Sequence, residues 1–239
     1  MKARALFEKG DLDGAIELLS RELRDDPTSV RMRTFLFELL CFAGERDRAS
    51  KQLDVLARGG QEAEMGALHY RAALHADGER HRKFADEDFS RGEGGPEPVS
   101  GTLNGEAFES MEDVDPRIGA RLEVFAGGQY TWIPLEHVAS VKVEEPKRLR
   151  DLLWVPAHVR PGPGMEALEL GEVLLPVLSP LTSESEDNEL RLGRATDWAE
   201  TSDGMSYPIG QKLFLVDGDA VPLLEIRELV IGEASDPGE

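Results

Sequence analysis

A single cysteine, Cys41, stands in 239 residues, so no disulfide can form within the chain and a disulfide-stapled scaffold is excluded. No apolar run approaches the roughly 20 residues that a membrane-spanning helix needs. Basic residues are scarce: 27 Lys and Arg stand against 47 Asp and Glu, for a net charge of −20. A field of that sign repels phosphate backbones, which argues against nucleic acid and anionic membrane as partners. The opening MKARALFEKGDLDG places Glu8, Asp11 and Asp13 among its apolar residues and does not read as a secretory signal. With the lone thiol on an apolar helix face, a cytoplasmic protein is expected.

Catalytic patterns are equally scarce. No glycine-rich phosphate loop follows a strand, and Gly-x-Ser-x-Gly and Cys-His arrangements are missing. The five histidines show no metal spacing; His69, His75 and His81 are six apart, which spreads them around a helix. Acid pairs such as Asp113/Asp115 and Glu144/Glu145 have no nearby His or Arg pattern to tune one carboxylate against the other, so they read as a solvated face. No catalytic residue, metal or cofactor is expected.

What is present is a repeat. Gly10, Gly44 and Gly78 lie 34 residues apart, and Ala15 and Ala49 keep the same interval. That period, with Gly closing one apolar helix and Ala early in the next, is that of tetratricopeptide repeats, whose stacked helix pairs form a groove for a peptide or helix. A short helix over 2–9 leads to residues 12–24, where Leu12, Ala15, Leu19 and Leu23 form one stripe before Pro27. Residues 29–43 carry Phe35, Leu39 and Phe42 on one face, and 46–57 return with Ala49, Leu53 and Leu56 inward. Gly59-Gly60 breaks the helix, and a third unit over 62–76 is expected to bury Met65, Leu68 and Ala72 before turning at Gly78. It then decays into a charged, terminal repeat. Apolar residues at these positions are first of all core, yet three units leave a groove unfilled, so Phe35, Leu39, Phe42, Leu68 and Arg71 are the candidate partner contacts.

The string RGEGGPEPVSG (91–101) ends the helical period and reads as a linker or ordered surface loop. Residues 1–94 have a net charge of −3 and the remainder −17. Beyond the linker, ARLEVFA (120–126), Gly127-Gly128 and QYTWI (129–133) read as a hairpin, and HVASVKV (137–143) as a third strand. A short helical stretch surrounds 147–152. Segments 167–178, 211–216 and part of 221–231 supply further strands, the last two joined at Asp217-Gly218-Asp219. The expected fold is α+β in two domains: tetratricopeptide-like helices over 1–90, the linker, and an acidic mostly-β domain over 102–239 built as a small twisted sheet or barrel.

Two strings combine an Arg, an Asp and a Trp: LRDLLW (149–154), with Arg150, Asp151 and Trp154, and LRLGRATDW (190–198), with Arg194, Asp197 and Trp198. Arg with Asp suits a bidentate pair and Trp suits a core or a binding hot spot, so these residues either lock the domain or form an interaction surface.

At these strings the chain resembles the ImpE/TagJ accessory proteins of bacterial type VI secretion systems. The resemblance runs through residues 103–141, with the YTWIP string that holds Trp132, then EEPKRLRDLLWVPA (144–157), LRLGRATDW (190–198) and IGQKLFLV (209–216). The charged ERHRKFA (79–85) fits the family's basic segment, while LSPLTSESEDN (178–188) departs where a Tyr-containing segment is usual, a change expected in one surface loop. The resemblance implies a non-catalytic adaptor that binds an N-terminal helix of the small sheath subunit TssB and connects the contractile sheath to the unfoldase ClpV. That helix is expected to dock against the helical half, the alternative being the acidic half or the junction between them. The rival readings are a generic repeat scaffold with another partner, and an enzyme with Asp151, Arg194 and Asp197 between the halves.

Overall fold

The computed structural model describes residues 2–87, 96–167, 170–202 and 204–232. Five helices open the chain: α1 (Lys2–Glu8), α2 (Leu12–Asp25), α3 (Val30–Phe42), α4 (Arg46–Leu56) and α5 (Gln61–Ala85). Asp11 caps α2 by accepting the Gly14 N–H at 2.8 Å, and the stripe of Leu12, Ala15, Leu19 and Leu23 is buried. Gly10 and Gly44 adopt φ of +83° and +70°, the left-handed geometry a tight helix-to-helix turn requires.

Gly78 breaks the series. It lies inside α5, which runs unbroken for 25 residues, so the third glycine of the 34-residue period turns nothing. The expected inward packing of Met65 and Leu68 is also overturned, since they are 62% and 59% exposed. The buried side of α5 carries Ala67, Ala73, Leu74, Ala76, Arg80 and Phe84 instead. The helix continues because its second half has a surface to lie on, the β domain.

That domain contains β1 (Val99–Leu103), β2 (Glu106–Asp113), β3 (Arg121–Ala126), β4 (Gln129–Pro134), β5 (Val138–Val143), β6 (Trp154–Pro161), β7 (Glu172–Pro176), β8 (Thr196–Glu200), β9 (Ser206–Gly210), β10 (Leu213–Val216), β11 (Asp219–Pro222) and β12 (Glu228–Ile231), with a one-turn helix α6 (Asn188–Arg191). Ten strands pair antiparallel in the order β11-β10-β2-β1-β12-β5-β6-β7-β3-β4 and curl into a half-barrel, while β8 and β9 form a separate two-stranded arm. Gly127-Gly128 turns β3 into β4, and Asp217-Gly218 turns β10 into β11, with φ positive at all four residues. Residues 91–95 of the expected linker lie outside the described residues. Its far end is not linker, because Val99 already opens β1, paired with β2 and β12.

The fold is α+β in two domains that share a seam. Along β3, β6 and β7 the side chains alternate between two cores. Leu122, Val124, Val155, Val173 and Leu175 fill the inside of the half-barrel. Phe125, Trp154 and Leu174 point the other way and join the core of the helical domain, together with Leu153, Leu178 and Leu192. At the outer edge, α5 runs along β4: Ala72 meets Gly128, Glu79 accepts the Tyr130 N–H at 3.1 Å, and Phe84 packs on Trp132 at 6.0 Å between ring centres.

Candidate functional site

The face that a tetratricopeptide stack offers to a partner is built by the first helix of each pair, here α1, α3 and α5. On α3, Leu39 and Phe42 have no exposure at all, so they form the wall of the core and not a contact surface. Phe35 is different. It is half-buried, edge-on to Phe7 at 5.9 Å, and it floors a recess lined by Arg4, Arg31, Thr34 and Glu38. Leu68 is exposed on α5, and Arg71 is held by Asp54 at 2.8 Å. These residues do not form one continuous groove.

The other half of that face is occupied by the chain itself. Arg150 reaches Glu38 at 3.1 Å and lies over the Tyr70 ring at 4.5 Å, while Leu149 and Leu152 pack against the helical core. Burial raises the Glu38 carboxyl above its ordinary value, against the opposing pull of Arg150. Trp154, from the same string, is buried in the seam.

The expected Arg–Asp pairing within each motif does not form. Asp151 accepts the N–H groups of Lys147 and Arg148 at 2.8 and 2.9 Å, which folds the 3-10 turn 149–152 and aims Arg150 outward. Arg194 donates to the carbonyls of Phe7 at 2.6 Å and Glu8 at 3.4 Å, satisfying acceptors at the end of α1, and its guanidinium lies 5.2 Å from the Phe7 ring centre. Asp197 accepts the N–H of Trp198 at 2.8 Å. Asp151, Arg194 and Asp197 therefore serve three separate local tasks. Arg191, not singled out in the sequence, holds Asp13 of α2 at 3.0 Å. Both turn glycines also face this seam: a Cβ on Gly10 would lie 2.2 Å from a Glu189 carboxylate oxygen, and one on Gly44 would lie 2.7 Å from the Ser183 hydroxyl. The divergent segment 178–188 is thus not a surface loop; its Ser183 backs Gly44 and its Glu184 faces His81 at 3.3 Å.

Sequence reasoning missed a buried charge cluster and read two of its members, Asp113 and Asp115, as a solvated face, whereas both are buried and each is paired with a cation. Arg80 of α5 grips Glu123 of β3 with two bonds of 2.8 Å. Lys212 bonds the same carboxylate at 2.7 Å and also Asp113. Tyr130 donates to Glu123 at 2.5 Å and accepts from the Trp132 indole N–H. Burial pushes Glu123 up, yet Arg80 and Lys212 outweigh it and hold the carboxyl well below its ordinary value. Asp113 goes the other way: burial lifts it to about 7, only partly opposed by Lys212. Beside them Arg117 and Asp115 form a second buried pair, at 2.6 Å. Every charged group here is spent on another, which makes the cluster a fastening. Trp132 is half-buried beside it, with Lys83 and Arg121 over its ring at 4.5 and 5.4 Å.

Among the described residues no three His, Cys, Asp or Glu side chains converge as a metal site, and no helix is long and apolar enough to cross a membrane.

Comparison with known proteins matches both halves of the chain. The family described as ImpE protein matches residues 105–230, and the tetratricopeptide repeat matches residues 6–73. The type VI secretion system accessory component TagJ of Pseudomonas aeruginosa is 31% identical over 263 residues, covering 96% of this chain and 90% of that protein. The crystal structure of protein VPA1032 from Vibrio parahaemolyticus superposes with a TM-score of 0.82 at 21% identity, over 98% of this chain and 99% of the other, and so shares the fold.

Proposed function

Since the chain belongs to the ImpE family, we propose that it is a non-catalytic adaptor of a bacterial type VI secretion system, working in the cytoplasm. Its helical domain binds a helix of the small sheath subunit TssB, and the assembled chain links the contractile sheath to the ClpV unfoldase. The observation that carries the docking site is the recess at Phe35. It is the part of the α1–α3 face that the chain's own Arg150 segment leaves open, with an aromatic floor and Arg4 and Arg31 along its rim, while Glu38 at its side is already held by Arg150. An amphipathic helix that sets an apolar side chain on Phe35 and an acid against Arg4 or Arg31 fits that chemistry. The seam offers less room, because Arg150, Trp154 and Leu178 already fill it.

The test is a titration of a labelled TssB N-terminal peptide into the full chain. Binding by the natural sequence, and a loss of about tenfold or more in Phe35→Ser with Arg31→Glu, is the expected result. No binding by the natural chain, or unchanged binding by the variant, would overturn the docking site. Retention of purified ClpV by the sheath-bound chain tests the second link.

A further inference from the structure

We propose that the arm formed by β8 and β9 is a second docking surface, which takes a basic polypeptide segment by seating an arginine or lysine side chain on Trp198. Trp198 is 53% exposed and is the one exposed Phe, Tyr or Trp among the described residues. It stands opposite the buried Pro208, and Glu200 on the same face stands opposite Ser206, so no long side chain faces the indole across the strands.

The molecule's other half-buried indole shows what such a ring attracts. Trp132 carries Lys83 and Arg121 over its face. Trp198 has no such cation among the described residues, yet the exposed carboxylate of Glu200 lies on its own face of β8 and makes no ion pair among the described residues. The cation at the arm's other side is already committed: Arg117 lies over the Tyr207 ring at 3.8 Å and is bonded to Asp115. An open aromatic face with an acid beside it suits a guanidinium or ammonium group, which gains both the ring and the charge.

The platform is fixed at its root. Thr196 donates to the Gln211 carbonyl at 2.9 Å, the Gln211 N–H returns to Ala195 at 3.0 Å, and Gly210 at φ +102° lets the strands close to a distance no Cβ would permit. A rigid surface loses little freedom on binding. Segment 233–239 does not suit as the occupant, since it contains Glu233, Asp236 and Glu239 and no basic residue. A second copy brings another net charge of −20 and is repelled.

The experiment is fluorescence anisotropy of a short labelled peptide of alternating arginine and alanine, with the glutamate counterpart as control, against the full chain at physiological salt. Trp198→Ala should weaken binding of the arginine peptide by about fivefold, and Trp198→Phe should keep most of it. Glu200→Lys, at an exposed position that supports no packing, should weaken it as well, and Phe35→Ser should leave it unchanged. Thermal melts that match the natural chain confirm folded variants. If Trp198→Ala and Glu200→Lys both bind as the natural chain does, attraction is diffuse acidity and the site is overturned. Self-association that depends on Trp198 in sedimentation would overturn it too, in favour of a second copy.

Discussion

At α5 the helical domain enters the sheet through fully buried charges, whereas at α1 and α2 it is held by guanidinium groups nearer the rim, and the largely buried Arg150–Glu38 pair at α3 lies between the two. The Arg80–Glu123 contact leaves its two side chains 6% and 0% exposed, while Arg194, which holds the Phe7 and Glu8 carbonyls, remains 30% exposed. Charges at a rim can exchange a protein partner for water at small cost. Charges in a core cannot, so the cluster holds only as a whole. The two fastenings therefore differ in kind: one tolerates piecemeal loss, the other fails together.

The largest break in that contrast is Glu123→Gln. It keeps the side-chain volume but strands the Arg80 charge in the core and leaves Lys212 with Asp113 as its remaining acid, and should cost about 3–5 kcal/mol in urea unfolding. A loss under about 1 kcal/mol would show that the cluster is not the fastening described. Asp113 sharpens the contrast through pH. Its carboxyl sits at about 7 when folded against an ordinary 3.8, so between those values the folded protein holds a proton that the unfolded chain has released. The stability this group contributes is full below about pH 3.8 and is lost as pH rises to about 7, by up to about 1.4 kcal/mol per pH unit. Asp113→Asn should flatten that decline, read as the difference between variant and natural chain from pH 5 to about 7. Glu123, held low, acts in the opposite sense, and its contribution is lost as pH falls below its ordinary 4.5. The smallest effect belongs to Arg194→Ala. The Phe7 and Glu8 carbonyls turn to water, and stability should drop by about 1 kcal/mol or less.

How much of this could be read in the residues depended on the range of the interaction. Gly10, Gly44 and the Gly127-Gly128 turn announce themselves because the backbone geometry they permit is local. Gly78 keeps the same spacing and misleads, because the face that carries α5 onward lies on β4, more than 40 residues away. Strands β1 and β2 escaped notice because VSGTL and EAFESMED are poor in apolar residues and bury only part of their length. Arg150 and Arg194 find their partners 112 and 186 residues away, a reach that no motif spacing encodes. Glu123 had a signal that went unused. Phe125 shares its face of β3, and an aromatic ring beside an acid on the supposedly wet side of a strand means that something covers both.

Helix α5 has one further consequence. It serves as the last layer of the repeat stack and as the shield of β4, one of the two edge strands of the curled sheet. Cutting the gene between the two halves would leave the stack without its final layer if α5 went with the sheet. It would leave a bare hydrogen-bonding border, prone to sticking, if α5 stayed behind. Shortened versions of this protein should therefore be designed with α5 and β4 kept together.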